Sequence, residues 1–169
     1  MLDAARLPDM KHTIIDSPIG DITLVATDGV LSGVCLDGQL HRSESPAFGP
    51  RVGSGFEEIT EQLGEYFAGD RCDFTVRTRA VGTDFQRRVW QAVATIPYGQ
   101  TWTYGQLAGT IRRPDRLRAV AATNGRNPLV IVVPCHRVVG SDGSLTGYAG
   151  GLVRKRFLLD LERPMARLF

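Results

Sequence analysis

The residues with the clearest chemical potential are a cysteine and the histidine that directly follows it, Cys135 and His136. A thiolate is a strong nucleophile, and a nearby imidazole together with positive charge lowers the pKa of a thiol. Arg137 comes next and carries such a charge. The alternative is a buried cysteine that acts as a small apolar side chain, because adjacent residues need not face each other. The pair alone leaves both interpretations open.

The residues before Cys135 predict a rigid support for it. The run from Leu129 to Val133 is short and apolar, which indicates a buried segment. Pro134 ends the run, because proline lacks the N–H group that a helix or a central strand requires. A thiol placed directly after such a segment is held in one position.

Length and composition indicate a globular protein. The chain has 169 residues, of which 43% are hydrophobic, and this is enough for one sizeable core or two smaller ones. No run approaches the roughly 20 apolar residues of a membrane helix. Residues 1–10 lack the apolar centre of a signal peptide and predict a loose tail, in which Met10 offers a second translation start. We therefore expect a cytoplasmic protein that does not enter a membrane.

The three cysteines and three histidines are widely spaced. Their spacing matches neither a zinc site nor a disulfide framework. We therefore expect no metal.

Charge is distributed unevenly along the chain. Residues 1–84 hold 7 Lys/Arg against 14 Asp/Glu, a net charge of −7, whereas residues 85–169 hold 13 against 4, a net charge of +9. A basic half beside an acidic half favours contact with a polyanion, since Lys and Arg contacts with phosphate supply most nonspecific affinity for nucleic acid. The alternative is an ordinary solvated basic surface.

The first half predicts a small antiparallel sheet and a helix. Alternating apolar residues predict three short strands, at 12–16, 21–26 and 31–36, and the dipeptide Asp28-Gly29 predicts a hairpin turn between the last two.

Three further predictions complete the first half, to which we assign a supporting role because it contains no catalytic constellation. Segment 39–55 is rich in Ser, Pro and Gly and predicts a long surface loop. Helical spacing predicts a helix over 56–67, and 74–76 predicts one more short strand.

Two capping boxes predict the starts of helices in the second half. Thr83 and Gln86 have the form of the first box, and Thr103 and Gln106 have the form of the second. The first helix is predicted to end at Pro97. Its predicted core face comprises Phe85, Val89, Val93 and Ile96.

A tight connection at 112–114 joins the second capped helix to a third, predicted from 115 to about 123. Two short helices joined in this way predict a helix-turn-helix. Ala119 and Ala122 give the third helix a small-residue face that can approach a groove closely, including the minor groove. An ordinary helical hairpin in a core is the alternative.

Residues 147–151 are rich in glycine but lack the spacing and strand context of a phosphate loop, which favours a mobile loop that closes over a pocket. A last helix is predicted over 152–162. Its predicted core face comprises Leu152, Phe157, Leu158 and Leu161.

Several separated motifs resemble, in order and spacing, those of the O6-alkylguanine-DNA alkyltransferase family. The central one is Pro134-Cys-His-Arg-Val138. The resemblance is close over 84–169 and loose over the first half. The other matching motifs are Phe85-Gln86 with Trp90, Ile96-Pro-Tyr-Gly99, Tyr104, Arg118-Ala-Val120, Asn127-Pro128, Gly147-Tyr148 and Glu162.

The resemblance implies an α/β N-terminal domain, a short antiparallel sheet plus a helix, followed by a mostly helical C-terminal domain with a helix-turn-helix. We assign 1–76 to the N-terminal domain, 77–83 to a linker, and 84–169 to a domain that binds DNA and transfers the alkyl group.

The resemblance also implies DNA repair by direct reversal. Cys135 would attack the alkyl carbon on O6 of guanine, or on O4 of thymine, and would be consumed because the thioether product resists hydrolysis. His136, through a water, and Glu162 behind it would remove the thiol proton. Tyr104 would hydrogen-bond or protonate the leaving guanine, and Asn127 would hold the turn near the active site. No cofactor is implied.

Binding residues follow from the same resemblance. Tyr148 and the backbone of Ala149 and Gly150 would line the pocket, and the Val138 carbonyl would accept the guanine amino group. Arg118 would enter the base stack in place of a flipped nucleotide. The other residues expected to contact DNA are Tyr104, Thr103, Arg116, Ala119 and Ala122.

The implied partner is duplex DNA containing O6-alkylguanine, bound by a monomer that can act cooperatively along DNA. Ala149 departs from those family members that carry serine there, so a side-chain contact is lost while the amide remains. Two rival hypotheses are a noncatalytic DNA-binding module, whose DNA affinity would survive Cys135→Ala with no activity to lose, and a cysteine hydrolase, which would turn over repeatedly.

Overall fold

The computed structural model describes residues 6–40 and 45–164. It opens with a three-stranded antiparallel sheet in the order β1 (Met10–Ile15), β2 (Ile22–Thr27), β3 (Val30–Leu36), as predicted. Asp28 and Gly29 have φ values of 49° and 77°, the positive φ that a tight hairpin turn requires at both central residues. The predicted N-terminal tail is described only from Arg6 onward.

Helix α1 (Glu57–Phe67) confirms the predicted helix. The segment before it is not entirely a surface loop. Ser45–Phe48 forms a 3-10 turn, and Phe48 is buried beside Val25 and Cys35. The prediction of a continuous surface loop over 39–55 is therefore wrong at Phe48. Residues 41–44 of that loop lie outside the described residues.

The short strand predicted at 74–76 is wrong. The backbone N–H of Thr75 donates to the side-chain oxygen of Gln62 at 3.0 Å, so α1 satisfies it in place of a neighbouring strand. A strand-like contact occurs two residues later, where Thr78 pairs with Leu31 as an isolated bridge. A buried glutamine thus ties the stretch just before the linker to α1.

Four helices build the second half: α2 (Asp84–Val93), α3 (Tyr104–Thr110), α4 (Leu117–Gly125) and α5 (Leu152–Glu162). Both predicted capping boxes are present. The side-chain hydroxyls of Thr83 and Thr103 each accept a bond from the backbone N–H three residues on, and the backbone N–H of each threonine donates in return to the side-chain oxygen of Gln86 or Gln106. Helix α2 ends at Val93, earlier than predicted, and Ile96 is buried in the turn that follows.

Helices α3 and α4 pack against each other and against α2. The connection contains a 3-10 turn, Pro114–Arg116, so α4 begins two residues later than the predicted 115. The indole N–H of Trp90 donates to the backbone oxygen of Thr123 at 2.9 Å and fixes the end of α4 on α2. The opposite face of α4 is left open to solvent.

The bounds of α5 agree with the predicted 152–162, but its predicted core face is wrong in part. Leu152 is 48% exposed and Phe157 is 38% exposed, whereas Lys155, Leu158 and Glu162 are buried. These three residues share one face of the helix. Charged side chains can be buried there because each has internal hydrogen-bond partners.

The apolar run before Cys135 is buried but does not form a regular strand. Ile131 has a φ of 73° and turns the chain. The start of the run is tied to β3, since Val34 donates to the Pro128 carbonyl at 2.9 Å and accepts from Val130 at 3.2 Å. A two-stranded parallel pair follows, β4 (Trp102–Thr103) with β5 (Val138–Val139).

Candidate active site

Cys135 begins a single 3-10 turn, Cys135–Arg137, and is only 4% exposed. Two asparagines near the end of α4 hold this turn. Asn124 donates to the Cys135 carbonyl at 3.3 Å, and Asn127 donates to the Val133 carbonyl at 2.7 Å. The thiol is therefore positioned by amide side chains from a neighbouring helix, as well as by its own backbone.

A buried carboxylate lies behind the histidine. His136 is fully buried, and its Nε2 lies 2.7 Å from Oε1 of Glu162, which is 1% exposed. Arg137 donates to both carboxylate oxygens at 2.8 Å and to the Ile96 carbonyl at 2.6 Å. Tyr66, from α1, donates its hydroxyl to Oε1 at 2.7 Å. The carboxylate is thus surrounded by donors.

These contacts decide the protonation states. Burial opposes ionisation of Glu162, but hydrogen bonds and positive charge from His136 and Arg137 lower the pKa of this carboxyl to about 2. Burial lowers the pKa of His136, with Glu162 opposing that shift. A neutral imidazole that donates from Nε2 leaves Nδ1 as an acceptor. Within the described residues Nδ1 has no hydrogen-bond partner, so it is free to accept a proton.

The thiol requires such an acceptor. Burial raises the pKa of Cys135 to about 11, and a hydrogen bond from Asn127 and the charge of Lys155 oppose the rise only in part. The cysteine is therefore a thiol at neutral pH and becomes a nucleophile by transferring its proton to a base.

Lys155 joins the cysteine turn to the glycine-rich loop. Its ammonium is buried and donates to the carbonyls of Val138 at 2.6 Å, Thr146 at 3.1 Å and Gly147 at 3.3 Å. Burial lowers its pKa to about 8, and Cys135 opposes the shift. Three carbonyls from two segments thus share one cation.

A cavity of about 370 Å³ opens in front of Cys135, a volume typical of small-ligand sites. The Tyr104 hydroxyl donates to the Thr146 carbonyl at 3.1 Å at its edge, and burial raises the pKa of this phenol. The Tyr148 hydroxyl is buried and has no hydrogen-bond partner among the described residues. The polar and backbone positions that line the cavity include Tyr104, Asn124, Asn127, Cys135, Tyr148 and Ala149.

The structure brings most of the predicted site residues together, but not all of them. Val138 and Gly150 do not line the cavity. The Val138 carbonyl accepts from Lys155, and the Gly150 carbonyl accepts from Arg154 at 3.4 Å. Both residues are close in sequence to residues that line the cavity, since Val138 follows Cys135 by three positions and Gly150 follows Ala149. Their carbonyls, however, have other partners.

The residues expected to contact DNA lie on α3 and α4. Arg118 and Ala122 are exposed, Ala119 is half-buried and Thr103 caps α3. Asp115, the acidic residue nearest to Arg118 in the sequence, pairs with Arg113 at 3.1 Å.

Arg116 is placed differently from Arg118. Its guanidinium lies over the Phe85 ring, 4.8 Å from the ring centroid. This contact directs the side chain toward α2.

Three residues of the site carry no predicted role: Tyr66, Asn124 and Lys155. Arg137 was predicted as a positive charge beside the thiol, and the structure pairs it with Glu162. Lys155 and Glu162 lie seven positions apart on the predicted last helix, a spacing that places them on one face. That spacing is the one signal that could have identified Lys155. No group of three or more His, Cys, Asp or Glu residues lies together in the described part of the chain, nor does any helix there have the length and apolarity to cross a membrane.

A buried thiol, a histidine–carboxylate pair and an adjoining cavity are the arrangement of an enzyme with a cysteine nucleophile. Family models make the class specific. Residues 84–164 match the DNA binding domain of 6-O-methylguanine DNA methyltransferase, and residues 10–80 match its ribonuclease-like domain. The chain belongs to the methylated-DNA–protein-cysteine methyltransferase family.

Individual relatives are similar in sequence to this chain over almost its whole length. The methylated-DNA–protein-cysteine methyltransferase of Mycobacterium bovis is 47% identical over 157 residues, 93% of this chain and 94% of the relative. That of Methanosarcina barkeri is 46% identical over 158 residues, 94% of this chain and 100% of the relative. Among solved structures, Mycobacterium tuberculosis OGT in complex with DNA is 47% identical, with a TM-score of 0.85 over 90% of this chain and 92% of that chain.

Proposed function

We propose that this protein repairs duplex DNA by transferring the alkyl group of O6-alkylguanine, and of O4-alkylthymine, irreversibly to Cys135. The observation that carries the proposal is the buried thiol of Cys135 at the wall of a cavity, directly followed in sequence by His136, whose Nε2 lies 2.7 Å from the buried Glu162 carboxylate. Relatives named methylated-DNA–protein-cysteine methyltransferases, and a similar chain crystallised with DNA, support the same substrate class.

The proposed chemistry uses the groups as the structure arranges them. The Cys135 proton passes through a water to Nδ1 of His136, and Glu162 stabilises the imidazolium that forms. The sulfur attacks the alkyl carbon as the carbon–O6 bond breaks, and the bond electrons leave with guanine. Tyr104 gives a proton to the leaving base. The thioether has no good leaving group, so each molecule acts once and needs no cofactor.

Substrate recognition uses the cavity walls. Tyr148 lines the pocket for the base, and the amide of Ala149 donates toward O6. Asn127 holds the cysteine segment by its bond to the Val133 carbonyl. The Val138 carbonyl takes the guanine amino group as a second donor beside Lys155, since a carbonyl oxygen has two lone pairs.

Helices α3 and α4 act as a helix-turn-helix on the minor groove, and the damaged base is flipped. The support for flipping is burial, because a thiol that is 4% exposed cannot reach a base inside a duplex. Ala121, Asn124 and Gly125 of α4 form one wall of the cavity, so DNA bound on α4 lies at the entrance. Arg118 fills the vacated stack. The remaining contacts come from Thr103, Tyr104, Arg116, Ala119 and Ala122.

The deciding experiment is the mass of the intact protein and of its peptides after mixing with a duplex that holds a single O6-methylguanine. We expect one methyl group on the peptide that contains Cys135 and unmodified guanine in the DNA. Cys135→Ala serves as the control, which binds the duplex and gains no mass. Tight binding by the wild type without a mass gain would replace this proposal with a lesion-binding module, and release of product beyond one equivalent would replace it with a hydrolase.

A further inference from the structure

Among the described residues, one side chain from the first half of the chain forms a hydrogen bond with the His136–Glu162 pair. Tyr66 lies in the last turn of α1, is fully buried, and donates its hydroxyl to Oε1 of Glu162 at 2.7 Å across 96 positions of sequence. We propose that Tyr66 is a positioning residue for alkyl transfer, which orients Glu162 and limits how strongly Glu162 attracts the proton held by His136. The inference rests on the proposed function.

The two oxygens of Glu162 are not equivalent. Oε1 accepts from Tyr66 and His136 at 2.7 Å and from Arg137 at 2.8 Å, whereas among the described residues Oε2 accepts from Arg137 alone, at 2.8 Å. Tyr66 and His136 therefore compete for the negative charge of the same oxygen. Each donor to a carboxylate stabilises its ionised form. Loss of the Tyr66 hydroxyl would leave more of that charge for the imidazole.

Ring packing aims the hydroxyl. The Tyr66 ring meets the Tyr98 ring edge-on at 6.3 Å and the Phe67 ring at 5.4 Å, and it lies tilted against Phe74 at 5.6 Å. Burial raises the pKa of the Tyr66 phenol far above its ordinary value, so the group remains a donor at every working pH. A rotation away from Glu162 would displace three aromatic neighbours.

Other charged groups act on the pair from the second half of the chain. Arg137 and Lys155 lower the pKa of His136, while Glu162 raises it. Of the described donors to Glu162, Tyr66 is the one that comes from the first half of the chain. The other titratable groups that act here are Tyr98 and Tyr148, whose phenols interact with the charge of Glu162, and Cys135, whose thiol interacts with the charge of Lys155.

The test compares the pH dependence of alkyl transfer from free O6-benzylguanine in the wild type, Tyr66→Phe and Tyr98→Phe. The acidic limb of the rate reports the neutral imidazole that accepts the thiol proton. Without the Tyr66 hydroxyl, Glu162 stabilises the imidazolium more strongly, so the limb moves to higher pH, by about half a unit. Tyr98→Phe is the control. Among the described residues the Tyr98 hydroxyl bonds the Leu161 carbonyl alone, at 3.4 Å, so its removal should not change the pH of the acidic limb.

A second variant tests the opposite direction without removing the hydroxyl. Site-specific 3-fluorotyrosine at position 66 makes the phenol a stronger donor, and the acidic limb then moves to lower pH. The positioning role would be overturned if the acidic limb lay at the same pH in all these proteins and the transfer rate fell only in proportion to the melting temperature. Tyr66 would then be purely structural. Absence of any reaction in the wild type, with free base or with duplex, would instead overturn the proposed function.

Discussion

Two regions of the molecule use charge in opposite ways. Around Glu162, the charged groups are buried and paired, with His136 at 2.7 Å and Arg137 at 2.8 Å. On the outer face of α4, Arg118 is exposed to solvent. Removing one member of a buried ion pair strongly destabilises a protein, whereas a solvent-exposed charge contributes little to stability until a partner binds. Substitutions near Glu162 should therefore affect stability and chemistry together, and those on the exposed face of α4 should affect DNA contact alone.

The largest effect is expected for Glu162→Gln. The substitution leaves the Arg137 guanidinium buried without its counter-charge, which costs about 3–5 kcal/mol in comparable buried pairs. It also removes the group that stabilises a protonated His136, so alkyl transfer slows. Urea unfolding and single-turnover rates measure the two effects.

A matched control for this substitution lies on the same helix. Asp160 pairs with Arg163 at 3.5 Å on the surface, and Asp160→Asn should change the free energy of unfolding by less than about 1 kcal/mol. If both variants lost stability equally, the contrast between the buried and exposed regions would not hold.

Acid should destabilise the protein through the same buried pair. His136 has a lowered pKa in the folded state, so its contribution to stability falls as pH drops below its ordinary value of 6.5. The Glu162 pKa is lowered from 4.5 to about 2, and this carboxylate contributes on the order of 3 kcal/mol that is lost between those two pH values.

Melting temperature across this pH range measures the acid effect. Glu162→Gln should lose the part of the pH dependence that belongs to the carboxylate. An acid profile that is unchanged by this substitution would show that other groups cause the loss of stability.

A smaller and more selective effect is expected for Arg118→Ala. Transfer from duplex DNA should fall about tenfold, equivalent to ~1.4 kcal/mol, because the flipped-out state loses the side chain that fills the stack. Transfer from free O6-benzylguanine should not change. Arg156→Ala, which removes one exposed positive charge from α5, controls for charge alone. An equal loss on both substrates would exclude the stacking role of Arg118.

The smallest effect is expected for alkylation of the protein itself. Extra atoms on a buried thiol crowd their neighbours, but the cavity in front of Cys135 gives a methyl group some space. S-methylation should lower the free energy of unfolding by less than about 1 kcal/mol, and S-benzylation should lower it by more. Melting temperatures of the two products measure the difference. A melting temperature that does not respond to either group would contradict the packing argument.

Much of the fold was predictable because its signals are local. The capping boxes at Thr83 and Thr103 each join residues three positions apart, and the Asp28-Gly29 turn depends on two adjacent backbones. Contacts this short need no knowledge of the rest of the chain. The same reasoning placed the buried run that ends at Pro134 and the nucleophile after it.

The errors occur where a distant residue replaces a local partner. The stretch at 74–76 has the composition of a strand, yet Gln62 takes the backbone bond of Thr75 that a neighbouring strand would have taken. On α5, apolar spacing predicted that Leu152 and Phe157 face the core. The core side carries Lys155 and Glu162, whose partners lie on other segments.

The sequence by itself determined where the two capped helices begin, where the Asp28-Gly29 turn lies, which half is basic, and which cysteine, histidine and arginine stand together, because these depend on neighbouring residues. Only the tertiary structure decided that a tyrosine of α1 donates to the carboxylate of Glu162 and that Lys155 joins two loops. The physical reason is that a buried polar group takes whatever partner the packing brings within about 3 Å, and packing brings together residues that are remote along the chain.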